Sequence, residues 1–146
     1  MRRTRCSLTP RNPLVIPTSY PTDHDKENPM TTTREVFDRH MSRQLDRDLD
    51  AILTDYAPDA IVVGPDGIGS GHDHIRASYE QVLPLIGSLD VTSVQVQGEV
   101  VYVNFRARND GRDDLVGTDT FVIRDGLIQI HTFYATTESP TADDQS

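Results

Sequence analysis

The spacing of hydrophobic residues changes partway along the chain. Between residue 31 and about residue 87, apolar side chains mostly recur every three or four residues, whereas from residue 88 onward they alternate with polar side chains. The first spacing places side chains on one face of a helix, and the second places them on one face of a strand. Helices followed by strands predict an α+β fold.

Three helices are predicted in the first part of this pattern. The first spans residues 31–45, and threonines at its start are N-cap candidates. The second carries Tyr56 on its apolar side and ends at Pro58, because proline cannot continue a helix. The third covers residues 71–84 and follows a short strand at residues 60–63 and a glycine-rich turn.

Four strands are predicted after residue 88, and they form an antiparallel meander. The last two strands cover residues 115–123 and 127–137, on either side of Arg124-Asp125-Gly126, which is typical of a hairpin turn. We expect the helices to cover one face of this curved sheet. The other face is also apolar, which predicts a homodimer through it; its residues are Val116, Val122, Ile128 and Ile130.

Both ends of the chain differ in composition from its middle. Residues 1–30 contain five of the nine prolines and have no apolar face to bury, so we expect a disordered tail. The folded domain is predicted at residues 31–138, and residues 139–146 read as a second disordered tail. Met30 stands where the folded pattern begins, which suggests it as an alternative translation start.

The charge distribution argues against several classes of partner. The chain has a net charge of -9, and residues 31–146 alone carry 9 basic and 20 acidic side chains. Such an acidic body repels phosphates, which excludes a nucleic-acid partner. No apolar run approaches membrane-spanning length, so no membrane association is expected. Cys6 is the single cysteine, which fits a reducing cytoplasmic location.

A carboxylate and a histidine on the last two strands are the leading candidates for chemistry. Asp119 shares the face of Phe121, where a carboxylate is costly unless it is paired, protonated or beside a cavity. The hairpin register decides what it meets. A two-residue turn at Asp125-Gly126 places Asp119 opposite Thr132, whereas a three-residue loop places it opposite His131.

Two segments resemble the nuclear transport factor 2-like superfamily. FDRHMSRQLDRDLDAILTDYAPDAIVVGPDGIGSGHDHIRASYEQVL is similar to its first half, and GTDTFVIRDGLIQIHTFYATTE to its last two strands. Within the superfamily, the chain resembles small SnoaL-like proteins, which are related to polyketide cyclases and ketosteroid isomerases. Over about residues 33–138, the resemblance implies a cone-shaped fold with three N-terminal helices packed on a curved antiparallel sheet around a central apolar pocket.

The resemblance to ketosteroid isomerases assigns two roles and leaves a third without a side chain. Their oxyanion-binding tyrosine falls on His40, and their protonated aspartic acid falls on Asp119 in a matching Asp-x-Phe context. Their general-base aspartate falls on Gly64, and Asp66 could replace it only if its loop folds inward. Steroid-type isomerisation by that route is therefore in doubt, whereas the cyclases imply an acid/base role for Asp119.

The apolar pattern and the resemblance favour different hairpin registers. The apolar pattern favours the two-residue turn, since the isoleucines of the last strand then join Phe121. The resemblance favours the three-residue loop, which places His131 in the pocket, and we adopt it as the hypothesis. His131 and Asp119 would then form a dyad for proton transfer. The alternatives are a buried neutral histidine and a carboxylate bonded to nearby backbone.

The remaining candidates are aromatic side chains that line the pocket and bind substrate: Tyr56, Phe105, Phe121 and Phe133. A metal site is not predicted, because His72 and His74 are two residues apart on a helix and point to different sides. The acids from residue 46 to residue 59 read as a solvated face, and they are Asp46, Asp48, Asp50, Asp55 and Asp59.

Two functional hypotheses follow. The first is a SnoaL-like enzyme of isomerase, cyclase or dehydratase type, in which Asp119 and His131 move a proton and His40 holds an oxygen of a small hydrophobic, oxygenated substrate. Such proton transfer needs no cofactor. The second is a non-catalytic ligand-binding or dimerisation module of the same fold, which the bare Gly64 favours. Fold alone does not decide between them.

Overall fold

The computed structural model describes residues 31–109 and 111–140. Secondary structure in these ranges begins at Thr33 and ends at Glu138. The predictions made for residues 1–30, and for the end of the chain from residue 141, lie outside the described residues.

The described part contains three α-helices and six strands, in the order α1, α2, β1, β2, α3 and then β3 to β6. The helices are α1 (Thr33–Leu45), α2 (Leu49–Thr54) and α3 (His72–Val82), and a 3-10 turn at Leu83–Leu85 follows α3. The strands are β1 (Tyr56–Gly64), β2 (Gly67–Ser70), β3 (Ser88–Gln97), β4 (Val100–Arg108), β5 (Asp114–Arg124) and β6 (Leu127–Glu138).

Side-chain caps fix the starts of the first two helices. Thr32 caps α1 in a capping box, in which Glu35 N–H donates to Thr32 Oγ1 at 3.1 Å and Thr32 N–H donates to Glu35 Oε1 at 2.9 Å. Asp48 caps α2 by accepting from Ala51 N–H at 3.1 Å. Each cap satisfies a backbone donor that the first turn of a helix leaves without a partner. The predicted threonine cap is confirmed.

The second helix is shorter than predicted, because Tyr56 begins β1 instead of extending α2. The backbone at this point pairs with the last strand, and Ile128 N–H donates to Asp55 O at 2.8 Å. Pro58 cannot donate to a ladder, and the pairing between β1 and β6 is irregular between Tyr56 and Ile61. The proline therefore interrupts a strand, and not a helix.

The six strands form one sheet in the order β2-β1-β6-β5-β4-β3. Strands β3 to β6 pair antiparallel with their sequence neighbours, which confirms the predicted meander. The prediction of a wholly antiparallel sheet is wrong, because β1 lies parallel to β6. The sheet gains this parallel pair because β1 joins the free edge of the meander, with α3 and four strands between β1 and β6 in sequence.

The last hairpin combines features of both predicted registers. Asp125 and Gly126 have φ values of 56° and 78°, so the turn is the two-residue type. The register then shifts between the pairs Ile123–Ile128 and Val122–Ile130, which leaves Gln129 as an extra residue. Past this bulge, Asp119 lies opposite Phe133, and neither predicted partner is correct. His131 nevertheless shares the face of Asp119, as the adopted hypothesis required.

The bulge also decides which side chains enter the core. Ile128 is fully buried, so its predicted place on the outer face is wrong, whereas Val122 and Ile130 pair on that face and are half-buried. The core lies between the helices and the inner face of the sheet. Its largest fully buried apolar members come from both layers and include Val36, Ile52, Tyr56, Ile75, Val101 and Ile128.

Replacing Ile52 with alanine tests the packing of α2 on this core. Ile52 has no exposed surface, so we expect Ile52→Ala to lower the free energy of unfolding by about 2–5 kcal/mol, through lost transfer energy and a residual cavity. Urea denaturation measures the change. The matched control is Leu45→Ala, because Leu45 is 62% exposed and its truncation should cost at most about 0.5 kcal/mol. Equal losses in both variants would contradict the packing.

Candidate active site

A cavity of about 200 Å³ lies between α1, α3 and the inner face of the sheet. Most of its wall is apolar, and α1 and α3 contribute Met41, Ile75 and Val82. The polar side chains that reach it are Gln44, Ser78, Tyr79, Asp119 and His131. An apolar cavity with a few converging polar groups is the usual form of a small-molecule site.

Asp119 and His131 form a hydrogen-bonded pair in the cavity wall. Asp119 Oδ1 lies 2.8 Å from His131 Nε2, although the two residues are diagonal to each other across β5 and β6. The ring of His131 stacks on Phe121, with centroids 4.2 Å apart and planes inclined by 20°. This stacking fixes the plane in which the imidazole presents its nitrogens. The carboxyl group remains accessible, since 22% of the Asp119 side chain is exposed.

A chain of hydrogen bonds continues from this pair into the core. We call it the buried network, and its members in order are Asp119, His131, Tyr56, Tyr79, His40 and Asp55. The successive heavy-atom distances from Asp119 to Asp55 are 2.8, 2.8, 2.9, 3.1 and 3.3 Å. The network therefore connects a carboxyl group at the cavity with a second carboxyl group in the core.

The inner end of the network is a carboxylate held by two arginines. Asp55 Oδ1 accepts from Arg39 Nε at 2.7 Å and from Arg43 at 2.5 Å, and Asp55 Oδ2 faces His40 Nδ1. The prediction that Asp55 belongs to a solvated face is wrong, because its side chain has no exposed surface. A carboxylate is tolerated there because the guanidinium groups replace the water that it loses.

Burial and hydrogen bonding set the protonation of the core groups. Burial lowers the pKa of His40, although its hydrogen bond to Asp55 acts in the opposite direction. Burial alone would raise the pKa of Asp55, but hydrogen bonds from His40 and Arg39 bring that pKa below its ordinary value. Burial raises the pKa of Tyr56 and that of Tyr79. We therefore expect a neutral His40 ring, an ionised Asp55 and two protonated phenols at neutral pH.

The site places the predicted residues in two groups. Phe105 and Phe133 line the cavity with Asp119 and His131. The other three candidates, His40, Tyr56 and Phe121, lie behind this wall. His40 is fully buried and contacts the edge of Tyr56 and of Phe121, with centroid separations of 5.5 and 5.4 Å. These three side chains pack against the site and do not line the cavity.

Four further residues of the site were not identified from the sequence. Tyr79 was assigned to the core, and Asp55 was assigned to a solvated face. Arg39 and Arg43 offered a signal, because residues four apart on a helix place their side chains side by side. Two adjacent cations beside His40 on a partly buried helix favour an anion between them.

An aromatic ring occupies the space beside Gly64, the position on which the resemblance to ketosteroid isomerases placed their general base. A Cβ atom on Gly64 would lie 2.7 Å from Phe133 Cζ, so Phe133 occupies the space beside this glycine. Asp66 is exposed in the β1–β2 turn and borders a separate cavity of about 100 Å³. Phe133 lines both cavities. The turn does not bring the Asp66 carboxylate into the larger cavity.

His72 makes a polar contact with the backbone of the start of β1. Its Nε2 atom lies 3.0 Å from Tyr56 O.

Within residues 31–109 and 111–140, no three His, Cys, Asp or Glu side chains are grouped closely enough to hold a metal ion. No helix in these ranges is long and apolar enough to cross a bilayer.

Comparison with solved structures identifies the fold as NTF2-like. An NTF2-like protein of unknown function from Burkholderia xenovorans is 21% identical, with a TM-score of 0.64 over 77% of this chain and 91% of its own. A proposed polyketide cyclase from Sinorhizobium meliloti is 21% identical, with a TM-score of 0.59 over 67% and 92% of the two chains. A proposed ketosteroid isomerase from Kribbella flavida is 20% identical, with a TM-score of 0.59 over 81% and 90%.

Sequence comparison narrows this class to a family. The profile of the SnoaL-like domain matches residues 36–131, which is more than half of the chain. The chain therefore belongs to the SnoaL-like domain family, and the resemblance inferred from the sequence is confirmed. A comparison with curated protein sequences gave no match.

The lowered pKa of His40 predicts a loss of stability in mild acid. As the pH falls, this histidine takes up a proton near its ordinary pKa of 6.5 in the unfolded chain, whereas in the folded chain it does so only at a lower pH. Stability from this group is therefore complete above about pH 6.5 and falls below it, by at most about 1.4 kcal/mol per pH unit. Urea denaturation between pH 8 and pH 5 measures the slope.

Two variants assign this slope to His40. We expect His40→Gln to reduce the slope, because the variant lacks the group that titrates. His74→Gln should keep it, since His74 is exposed on α3. A slope of the same size in His40→Gln and in the wild type would contradict the assignment.

Proposed function

We propose that this protein is an enzyme that transfers protons on a small hydrophobic compound with a carbonyl or hydroxyl group. The observation that carries the proposal is the hydrogen bond of 2.8 Å between Asp119 and His131 in the wall of a mostly apolar cavity. Carboxyl and imidazole groups are the side chains most used in general acid–base catalysis. An apolar surrounding strengthens their electrostatic effect on a bound ligand.

The proposed step begins with the proton that Asp119 and His131 share. Asp119 donates a proton to a carbonyl oxygen of the ligand and becomes a carboxylate beside the ring of His131. The carboxylate then removes a proton from the adjacent carbon, so one C–H bond breaks, one O–H bond forms and the ketone becomes an enol. The pair ends with the protons with which it began. Isomerisation, ring closure and loss of water all proceed through such enols.

The size of the cavity bounds the substrate. A cavity of about 150 Å³ in another protein is known to hold benzene, and the cavity here measures about 200 Å³. A substrate of one or two fused rings therefore fits the cavity. Phe105 and Phe133 line the cavity and are proposed to contact the rings, while His40 supports the site from behind. Two neighbours in fold are a proposed cyclase and a proposed isomerase, which is consistent with this class.

Exchange of carbon-bound hydrogen tests the proposal without knowledge of the natural substrate. We expect the protein to accelerate deuterium uptake by 2-tetralone in D₂O, followed by proton NMR, above the rate in buffer. Asp119→Asn should lower the catalysed rate at least about 100-fold, which is the usual contribution of a general acid or base. Its thermal unfolding should remain close to that of the wild type.

Asp66→Asn is the matched control for this experiment. It removes the same charge from the exposed turn beside the smaller cavity, and we expect the exchange rate to remain unchanged. Equal rates in Asp119→Asn and the wild type would refute the role of Asp119. Exchange in the wild type no faster than in buffer would refute proton transfer to this class of ketone.

A non-catalytic binding module is the second candidate, and the closed position at Gly64 favours it. Phe133 fills the space of the missing base, so the cavity holds a ligand without a second carboxylate beside it. The same assay separates the two candidates when binding of 2-naphthol is measured in parallel by calorimetry. Binding without deuterium exchange supports the module, and binding together with exchange supports the enzyme.

We also propose that a second copy of the chain covers the outer face of the sheet. Val100, Tyr102 and Tyr134 lie on this face and are 42%, 38% and 63% exposed. We expect a dimer in sedimentation velocity at micromolar concentrations and a monomer for Tyr134→Arg, because a buried guanidinium without a partner is costly. Leu45→Arg is the control on α1 and should remain dimeric. A monomeric wild type would contradict this proposal.

A further inference from the structure

The buried network requires one proton more than its neutral side chains supply. Its five hydrogen bonds each need one proton between their two heavy atoms. Two neutral imidazoles and two phenols provide four, and ionised carboxylates at the two ends provide none. With both carboxylates ionised and both rings neutral, one of the five contacts would therefore bring two lone pairs together.

The fifth proton has two locations that satisfy every bond. In one, it lies between Asp119 and His131, and each remaining bond donates toward Asp55. In the other, it lies between His40 and Asp55, and each remaining bond donates toward Asp119. Because the bonds form a single chain, the direction of one bond fixes the direction of its neighbours.

Charge in the core favours the first location. A proton between His40 and Asp55 would either make His40 a third cation beside Arg39 and Arg43 or neutralise the carboxylate that pairs with both guanidinium groups, and His40 and Asp55 have no exposed surface. A proton at the cavity end instead neutralises Asp119, which has no arginine partner among the described residues. The other titratable groups around His40 are Tyr56, Tyr79 and the ring of His131, and none of them is an anion at neutral pH. The carboxylate of Asp119 also favours a charged His40, but it lies at the other end of the network and does not contact the ring.

We infer that Asp55 is a positioning residue that keeps the transferable proton at the cavity. An ionised Asp55 can only accept, and its Oδ2 atom lies 3.3 Å from His40 Nδ1, so Nδ1 carries the proton of the neutral ring and Nε2 accepts from Tyr79. Tyr79 then accepts from Tyr56, and Tyr56 accepts from His131 Nδ1–H. The fifth proton is left in the bond between Asp119 and His131.

This role of Asp55 adds to the proposed function and rests on it, because the location of the proton affects a reaction only if Asp119 transfers that proton. When Asp119 has given its proton to a ligand, reversal of the network would return an N–H group to the carboxylate. Asp55 opposes that reversal, because it would lose its hydrogen bond from His40. The carboxylate of Asp119 therefore remains reactive toward a proton on the ligand, and the step can close.

Exchanging Asp55 for asparagine should reverse the network. The amide oxygen of the new side chain is expected to take the two arginine bonds, which turns its NH₂ group toward His40 Nδ1. His40 then carries its proton on Nε2, the phenols donate toward the cavity, and His131 Nδ1 becomes an acceptor. Long-range ¹H–¹⁵N spectra of ¹⁵N-histidine-labelled protein read these tautomers directly.

In the wild type, we expect protonated Nδ1 atoms on both His40 and His131. In Asp55→Asn, both Nδ1 resonances should move to the range of an unprotonated ring nitrogen. Asp50→Asn is the matched control, because Asp50 lies on α2, which Asp55 directly follows, is 84% exposed and pairs only with Arg76 among the described residues. Its spectra should match those of the wild type.

Tyr79→Phe keeps the test decisive if Asp55→Asn does not fold. Removal of this hydroxyl cuts the network in the middle. His40 should keep its Nδ1 proton, since Asp55 is intact, whereas Tyr56 loses its acceptor and turns its hydroxyl to His131. The Nδ1 proton of His131 should then be lost while that of His40 remains, a pattern that general loosening of the core would not produce.

Two results would overturn the inference. One is a wild-type His40 with its proton on Nε2, and the other is a His131 Nδ1 that stays protonated in both variants. Neither depends on turnover. Reversal of the tautomers without any wild-type deuterium exchange would sustain the inference and refute the proposed function, and exchange with unchanged tautomers would do the opposite.

Discussion

One extra residue in the last strand decides which side of the sheet the candidate histidine faces. Ile128 and His131 are three residues apart, so in a regular strand they would point to opposite faces. The bulge at Gln129 places both on the inner face, one in the core and the other in the cavity wall. The contact between His131 and Asp119, and the whole network behind it, depends on this single irregularity.

The buried network is tolerated in the core because its charge is compensated at the Asp55 end. Six polar side chains in a row would be costly in a core of this size if any donor or acceptor were left unpaired. Arg39 and Arg43 neutralise Asp55 while each keeps about a third of its side chain exposed. The two arginine side chains thus extend from the buried Asp55 carboxylate to the solvent, and the core around that carboxylate remains closed to water.

The sequence predicted the order and type of most elements, because the spacing of apolar residues is a strong local signal. It misassigned Tyr56 and Asp55, since pairing of β1 with a strand more than 70 residues later outweighed the helical pattern around them. It also predicted the shared face of Asp119 and His131 for a mistaken reason. Bulges depend on cross-strand packing, and no composition signal marked Gln129.

The ring of Phe133 against Gly64 has a consequence for how this scaffold can change. An aspartate introduced at position 64 alone would collide with the ring, whereas a smaller residue at position 133 would first open the space. A second acid at position 64 therefore needs either a smaller residue at position 133 or a displaced Phe133 ring, and each of these alters the cavity that the ring now lines.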